Sequence, residues 1–523
     1  MWIELSNLTI PALAPQDLRQ AAARTLSVPP AAVAELRVLR RSVDARQHRN
    51  VKFLYRLAVR LTDSARAPGG FREWAETAPP ALTATQLDDS APVVVGAGPA
   101  GLFAALALCE AGLPPVVVER GKPAPERVVD VNRFWADGTL DPDSNVFFGA
   151  GGAGTFSDGK LNTRSKDPLV TKVLTTLVAL GASETILYDA KPHIGTDLLV
   201  QLLPLFRKHL ATLGTRFAFN TRLDGLRRAA SGHLEVALNG AWTLARPLVL
   251  ACGHSAFDSY RLLLDAGVEL APKPLAIGVR LEHPAPFASA LFQGNDPRVL
   301  EALGHVQYNV TAKLPNRGSV YSFCCCPGGE VVACATTADT LNVNGMSASR
   351  RDSPFTNAGL VTPVPPEELA EDAAGMLHWR EELERGCFRL GGGGFAVPAQ
   401  RATDFVAGRA STGKLRTSSR RPVAPSDLSR ILPTPVAARL RDGLRRLDRK
   451  FNGWLRNGTL LGIETTTSAP VRILREADGA AVNWPDLLPA GEGSGYAGGI
   501  VTSAADGWRA VDTWLKAHGS ATS

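Results

Sequence analysis

The sequence predicts an α/β protein in which a dinucleotide-binding βαβ domain is interrupted by a mainly antiparallel sheet and preceded by a small α+β domain. Three observations carry that expectation. Val93 to Glu119 reads as a strand, a glycine turn, a helix and a second strand ending in an acid. From Pro274 to Asn344 apolar and polar residues alternate with the period of antiparallel strands. A late glycine cluster, Gly491 to Ile500, stands between a short strand and the last helix.

Each element of the first unit has a physical reason. Gly96 permits the tight turn, Gly98 lets backbone approach a pyrophosphate, and Ala100 and Gly101 open a helix close against the strand. The helix start offers free N–H groups and a positive dipole end to two phosphates. Glu119 stands where a carboxylate accepts both ribose hydroxyls, with Arg120 beside it.

Residues 1–62 read as strand, helix, strand, strand, a ferredoxin-like half-fold, and residues 63–90, rich in Ala, Pro and Thr, read as a linker. The dinucleotide domain is then expected over 91–272 and 455–523, with a substrate domain over 273–454. Helices are expected at Leu198 to Leu213, Glu367 to Arg385, Val436 to Leu447 and Gly499 to Lys516, and a buried strand at Leu248 to Ala251, ending at Gly253.

A second glycine cluster, Gly149 to Gly154, runs on through Asp158 to Lys160 and opens no apolar helix. Its consecutive glycines, Gly151, Gly152 and Gly154 among them, let backbone pass close to a flat ligand. The site is thus split between the first turn and a C-terminal cluster of Gly491, Glu492, Gly498, Gly499 and Ile500. That split suits FAD as the resident cofactor better than a nicotinamide, whose domain closes its site within one contiguous stretch. Glu492 is placed to hold ribityl hydroxyls, and the last helix to point its positive end at the pyrophosphate or flavin O2. No second nucleotide fold is visible, so any NAD(P)H is expected only as a transient co-substrate.

The composition, 45% hydrophobic and 20% charged over 523 residues, is that of an ordinary multi-domain protein. No apolar run is long enough to span a bilayer and the N-terminus lacks a signal pattern, so a cytoplasmic location is expected. Seven irregularly spaced cysteines form neither a disulfide framework nor a zinc site, and no metal is expected. The net charge of +7 concentrates between Arg401 and Arg456, with fourteen Lys or Arg against four Asp. This stretch is either a solvated face or a surface for an acidic partner or anionic ligand. Nothing in it reads as nucleic-acid binding.

The motifs GGAGTFSDGKL (151–161), KPHIGTD (191–197), ACGHSAFD (251–258), KPLAIGVRLEHP (273–284), VYSFCCCPGG (320–329) and GEGSGYAGGI (491–500) together resemble a bacterial family of uncharacterised FAD-dependent dehydrogenases or oxidoreductases. That family belongs to the glutathione-reductase-like flavoproteins, and the resemblance implies their fold and FAD, but little about the reaction. Two departures stand out. Thr466 occupies a position where the family pattern carries arginine, and Gly394-Phe395 replaces an asparagine–tyrosine pair. Both changes point to a less anionic substrate.

Three residues are candidates for chemistry. His193 enters a helix from a polar loop and titrates near neutrality, as acid–base catalysis needs, though a structural histidine fits equally. Arg280, on a strand of the substrate sheet, either clamps an anion or makes a buried ion pair. Cys324 shares a strand face with Cys326, opposite Cys325, and is either a redox thiol or packing. The expected function is an FAD-dependent oxidoreductase acting on a small organic substrate by hydride transfer at flavin N5. The alternatives are a flavin monooxygenase using NAD(P)H and oxygen, and a non-catalytic flavin-binding or partner-docking protein.

Overall fold

The computed structural model describes residues 2–521 apart from 49, 68, 77–81, 83–84, 87–90, 164, 231 and 519. Much of the expected linker therefore lies outside the described residues.

A five-stranded parallel sheet organises the chain, in the spatial order Leu487–Pro489, Leu248–Leu250, Val93–Val95, Val116–Val118, Arg216–Ala218. The three inner strands are almost wholly Val and Leu because both their faces are covered. From Val93–Val95 the chain moves outward to one side, then returns to the other. This reversal makes a crevice at the carboxyl ends of the central strands. Gly96, Glu119, Ala251 and Ala490 each follow immediately on a strand of this sheet.

Two helices lie together on one face. Pro99–Glu110 is buried along nine consecutive residues, since the final helix Ile500–His518 covers the side the sheet does not. Gly507 permits that approach: a Cβ there would overlap the backbone of Ala100.

The inserted sheet has seven strands, in the order Thr311–Leu314, Gly318–Cys326, Phe355–Val364, Leu275–Pro284, Thr459–Glu464, Val397–Arg401, Val423–Pro425. All pairings are antiparallel except the last. The amphipathic helix Thr434–Lys450 covers one face, with Gly443 set against Val320. Leu270–Pro272 pairs with Val471–Ile473 where the chain enters and leaves this sheet. The chain leaves later than position 455, because Thr459–Glu464 is a strand of the inserted sheet; a short apolar run does not reveal which sheet it joins. The helix expected from Glu367 starts at Ala373, capped by the Asp372 side chain, after the turn Pro366–Glu368.

The N-terminal unit follows the expected strand, helix, strand, strand order, with Trp2–Pro11, Leu18–Leu26, Val33–Asp44 and Lys52–Leu61. Two differences emerge. Arg72–Trp74, from the expected linker, adds an edge strand beside Trp2–Pro11. The unit is also tied to the main body: Arg41 makes an ion pair of 2.7 Å with Asp189 and exchanges backbone hydrogen bonds with Tyr188 and Ala190. Among the described residues, no helix is long and apolar enough to cross a membrane.

Candidate active site

The crevice at the strand ends opens into a cavity that communicates with solvent. Segments far apart in sequence converge on it because glycines allow their backbones to touch. A Cβ at Gly96 would overlap the Ala251 carbonyl, one at Gly152 would press on Gly98, and one at Gly493 would overlap Gly253.

Expected cofactor residues divide into those that face the cavity and those that build its wall. Gly96, Gly98, Ala100, Glu119 and Arg120 line one end together with Gly152, Gly154 and Gly253; Asp158, Lys160, Glu492, Gly499 and Ile500 also border the space. Gly101, Gly151 and Gly491 do not line it. Gly101 and Gly491 are packing glycines, pressed against Gly96 and the Ala100 side chain respectively, while Gly151 donates to the Ala97 carbonyl at 2.8 Å. Gly498 lies exposed outside it, its N–H bonded to Thr502 Oγ1 at 3.1 Å.

Gly98 caps the helix Pro99–Glu110 with no side-chain partner for its first N–H groups, and those groups face the cavity. A side chain at Gly98 would project into this space, with only the Gly152 Cα in reach at 3.8 Å. A phosphate fits that place.

Glu119 carries more than the expected ribose contact. It is 6% exposed, and its carboxylate accepts from the N–H groups of Ala97 (2.8 Å), Gly121 (3.0 Å) and Gly149 (2.9 Å). It therefore joins the first two glycine loops, and retains acceptor capacity for a hydroxyl. Arg120 lies across Phe148 and pairs with Asp143 and Asp258.

At the other end stand Phe323, Cys324, Asn344, Thr466, Lys160 and Glu492. Lys160 Nζ is 3.7 Å from Cys324 Sγ and also donates to the Cys325 carbonyl. Asp158 is turned away into a bidentate contact with Arg351, at 2.5 and 3.2 Å, and accepts from Ser347. Burial pushes the Glu492 carboxyl up to about 7. His254, packed edge-on to Phe147, is lowered to about 3 by burial and by Arg380, and so is neutral.

Two of the expected catalytic residues are displaced from the cavity. His193 borders a separate small pocket with Ile186 and Leu198, its Nε2 3.4 Å from the Ser349 carbonyl. Its backbone bridges to Lys160, so the loop reaches the cavity wall, but His193 is not among the residues that line the cavity. Arg280 is fully buried and committed: to Glu464 (2.8 Å), Asn344 (2.8 Å), Asn357 (3.0 Å) and the Cys324 carbonyl (3.0 Å). It holds the cavity wall and has no face toward a ligand. Cys324 does line the cavity, but not by strand alternation. A bulge between Phe323 and Cys326 and a left-handed φ of 44° at Cys324 break the two-residue period.

Several supporting residues carried no sequence signal. Arg127 is buried, has no ion-pair partner among the described residues, and donates to the carbonyls of Asn145, Val146, Gly149, Ala150 and Gly152. It fixes the whole second glycine cluster; burial draws it down to about 9, so it stays charged at neutral pH. Tyr260 donates to the Gly493 carbonyl at 2.7 Å, joining the loops after two strands. Arg380 holds the His254 carbonyl and Ser255 Oγ and pairs with Glu384, which accepts from Thr465.

The basic stretch 401–456 is partly neutralised by ion pairs, of Arg409 with Asp404 and Arg445 with Asp442 inside it, and of Arg420 with Glu330 and Arg439 with Glu368 outside it.

Comparison with known proteins agrees with the site. Residues 92–142 match the FAD binding domain family, and residues 274–467 match the family described as FAD-dependent protein, C-terminal domain-like. Residues 3–60 match a domain of unknown function. An uncharacterized protein of Clostridium beijerinckii is 39% identical over 499 residues, covering 92% of each chain. The chain belongs to the same family as that protein. The family's FAD-binding segment thus coincides with the first glycine turn, Glu119 and Arg127. Among solved structures, NikD, an amino acid oxidase essential for nikkomycin biosynthesis, is 14% identical with a TM-score of 0.35, covering 82% of this chain and 94% of its own. The tetracycline destructase Tet(51) is 12% identical with a TM-score of 0.34, covering 82% and 83%. Likeness at this level fixes neither substrate nor reaction.

Proposed function

We propose that the protein is an FAD-dependent oxidoreductase of the glutathione-reductase-like arrangement, acting on a small organic substrate, with NAD(P)H as a transient reductant. The observation that carries this reading is the convergence of the first glycine turn, the Gly152 loop, Gly253 and Glu492 on one elongated cavity. Gly96, Gly98 and Gly152 would hold the pyrophosphate, Glu119 a ribose, and Glu492 with the Ile500 helix start the far end of the cofactor. Bound there, FAD supplies hydride transfer at N5, chemistry that protein side chains lack.

The chain's own groups then have separate tasks. Neutral His254 and Phe147 present no charge to the cavity beside them, while Lys160 offers a cation at the opposite wall. Thr466, bonded to Glu464 at 3.0 Å, leaves that wall without the arginine of the family pattern, which suits a less anionic substrate. Glu492, near 7, is the carboxyl in the cavity able to hold or release a proton at neutral pH. The test is anaerobic: the FAD-loaded protein is mixed with NADH, NADPH and panels of neutral and anionic small organic substrates. Bleaching of flavin absorbance by any of them supports the reading; a flavin that none of them reduces, although dithionite does, contradicts it.

A further inference from the structure

The Cys324 thiol opens on the cavity, whereas Cys325 and Cys326 lie buried behind it. The bulge and the left-handed backbone at Cys324 break the regular strand between these two thiols. The Cys326 thiol turns back to donate to the Cys324 carbonyl at 3.5 Å. Arg280 fixes this geometry by donating to the same carbonyl at 3.0 Å.

The charges around Cys324 are unequal. Arg351 takes Asp158, and Arg280 takes Glu464. Among the described residues, the carboxylate left to Lys160 is the already paired Asp158, at 3.6 Å. Lys191 adds a further cation near Cys325, and Glu492 faces Cys324 from the C-terminal loop. His193, kept uncharged by burial and Arg351, adds nothing. Cations thus outnumber carboxylates, and an anionic sulfur beside Lys160 restores the balance. The hydrogen bond with Cys326, and then Lys160 and Arg280, hold the Cys324 thiol well below its ordinary value. Cys326 is raised well above it. Cys252, the other thiol bordering the cavity, is pushed up to about 12 by burial.

We propose that Cys324 is a peroxide-reactive thiolate in the cavity wall and Cys326 its resolving partner, so that this corner of the substrate sheet is a dithiol–disulfide switch. An accessible thiolate next to a second, shielded thiol is the arrangement that peroxide oxidation requires. The Cys324 sulfur attacks one oxygen of hydrogen peroxide. The O–O bond breaks, the sulfur becomes a sulfenic acid, and the departing hydroxide takes a proton to form water. Cys326 then attacks that sulfur: an S–S bond forms, the S–O bond breaks, and hydroxide leaves with the Cys326 proton as a second water. Oxidation removes the thiolate from Lys160 and leaves its ammonium facing the cavity. The proposal rests on this wall and not on the cofactor's identity.

The experiment treats the full-length protein as purified with equimolar hydrogen peroxide, with and without dimedone, and maps the peptides by mass spectrometry. FAD content is measured separately, so a protein without FAD that still forms the disulfide faults only the cofactor reading. Wild type is expected to lose two hydrogens in the peptide spanning Cys324 and Cys326, reversibly with dithiothreitol. Cys326→Ser should instead carry a dimedone adduct on Cys324, and Cys324→Ser neither product. Lys160→Met should slow the reaction about tenfold or more and move its pH midpoint upward, while Lys160→Arg keeps it near the wild-type rate. Absence of both products at peroxide doses that oxidise Cys109 or Cys252 overturns the proposal. So does a Lys160→Met rate equal to wild type.

Discussion

Arg127 shows most clearly how one side chain can hold a site it does not line. Its guanidinium binds five backbone carbonyls, three in the second glycine cluster and two just before it. Arg127→Met removes their shared donor, and is expected to cost on the order of 3–5 kcal/mol and to empty the cavity of FAD. Thermal denaturation and flavin content of the purified variant check both. Glu282 offers a pH test. Burial pushes its carboxyl up to about 7, above the 4.5 of a free glutamate. Between these values the folded state holds a proton that the unfolded chain has lost, so this group's stabilisation is complete below about pH 4.5 and lost as pH rises to 7. Relative to Glu282→Gln, wild-type stability should fall by about 1–3 kcal/mol across that window, read from denaturant midpoints. A constant difference would contradict it. At this scale the sequence was partly transparent. That Gly96, Gly98, Glu119 and Glu492 would border one cavity was legible, because a dinucleotide site calls for those residue types at those spacings. Arg127 was not, since an arginine bonded to carbonyls leaves no complementary residue to find, and Arg380–Glu384 reads like any surface i, i+4 pair. For His193, sequence places the loop but not which pocket the residue borders, here the smaller one.

At the scale of elements, the helices Pro99–Glu110 and Ile500–His518 carry the site between them, one start facing the cavity from each side. Gly507 sets their separation. Gly507→Ala puts a methyl group into the backbone of Ala100 and is expected to destabilise the fold by about 1–3 kcal/mol while lowering FAD retention. An unchanged melting temperature with full flavin content would show that the helices need not pack so closely. These helices and the parallel strands were readable from period and glycine punctuation. The strand Thr459–Glu464 was not assigned to its sheet, because a run buried on both faces carries no alternation to identify its neighbours. The bulge at Phe323–Cys326 was invisible for a related reason: alternation is inferred from composition, and three identical residues cannot show a break in it.

Over the whole molecule, the chain leaves the parallel sheet after Pro272, builds the inserted sheet, and returns to complete the cavity with its last strand and helix. The N-terminal unit contributes nothing to the cavity lining among the described residues, although Arg41 and Asp189 fasten it to the body. That attachment was beyond sequence reading, which saw only a compositional break at the linker. A chain beginning at Ser90 should therefore fold and retain FAD; a folded protein lacking it would assign the N-terminal unit a part in the site. The central claim is that the converging glycine loops form an FAD site, and the most direct measurement is the identity and amount of flavin released on denaturing the purified protein. FAD, close to one per chain in wild type and lost in Gly98→Val with the fold retained, is the predicted result. Released FMN, or a colourless protein that free FAD does not reconstitute, would contradict it.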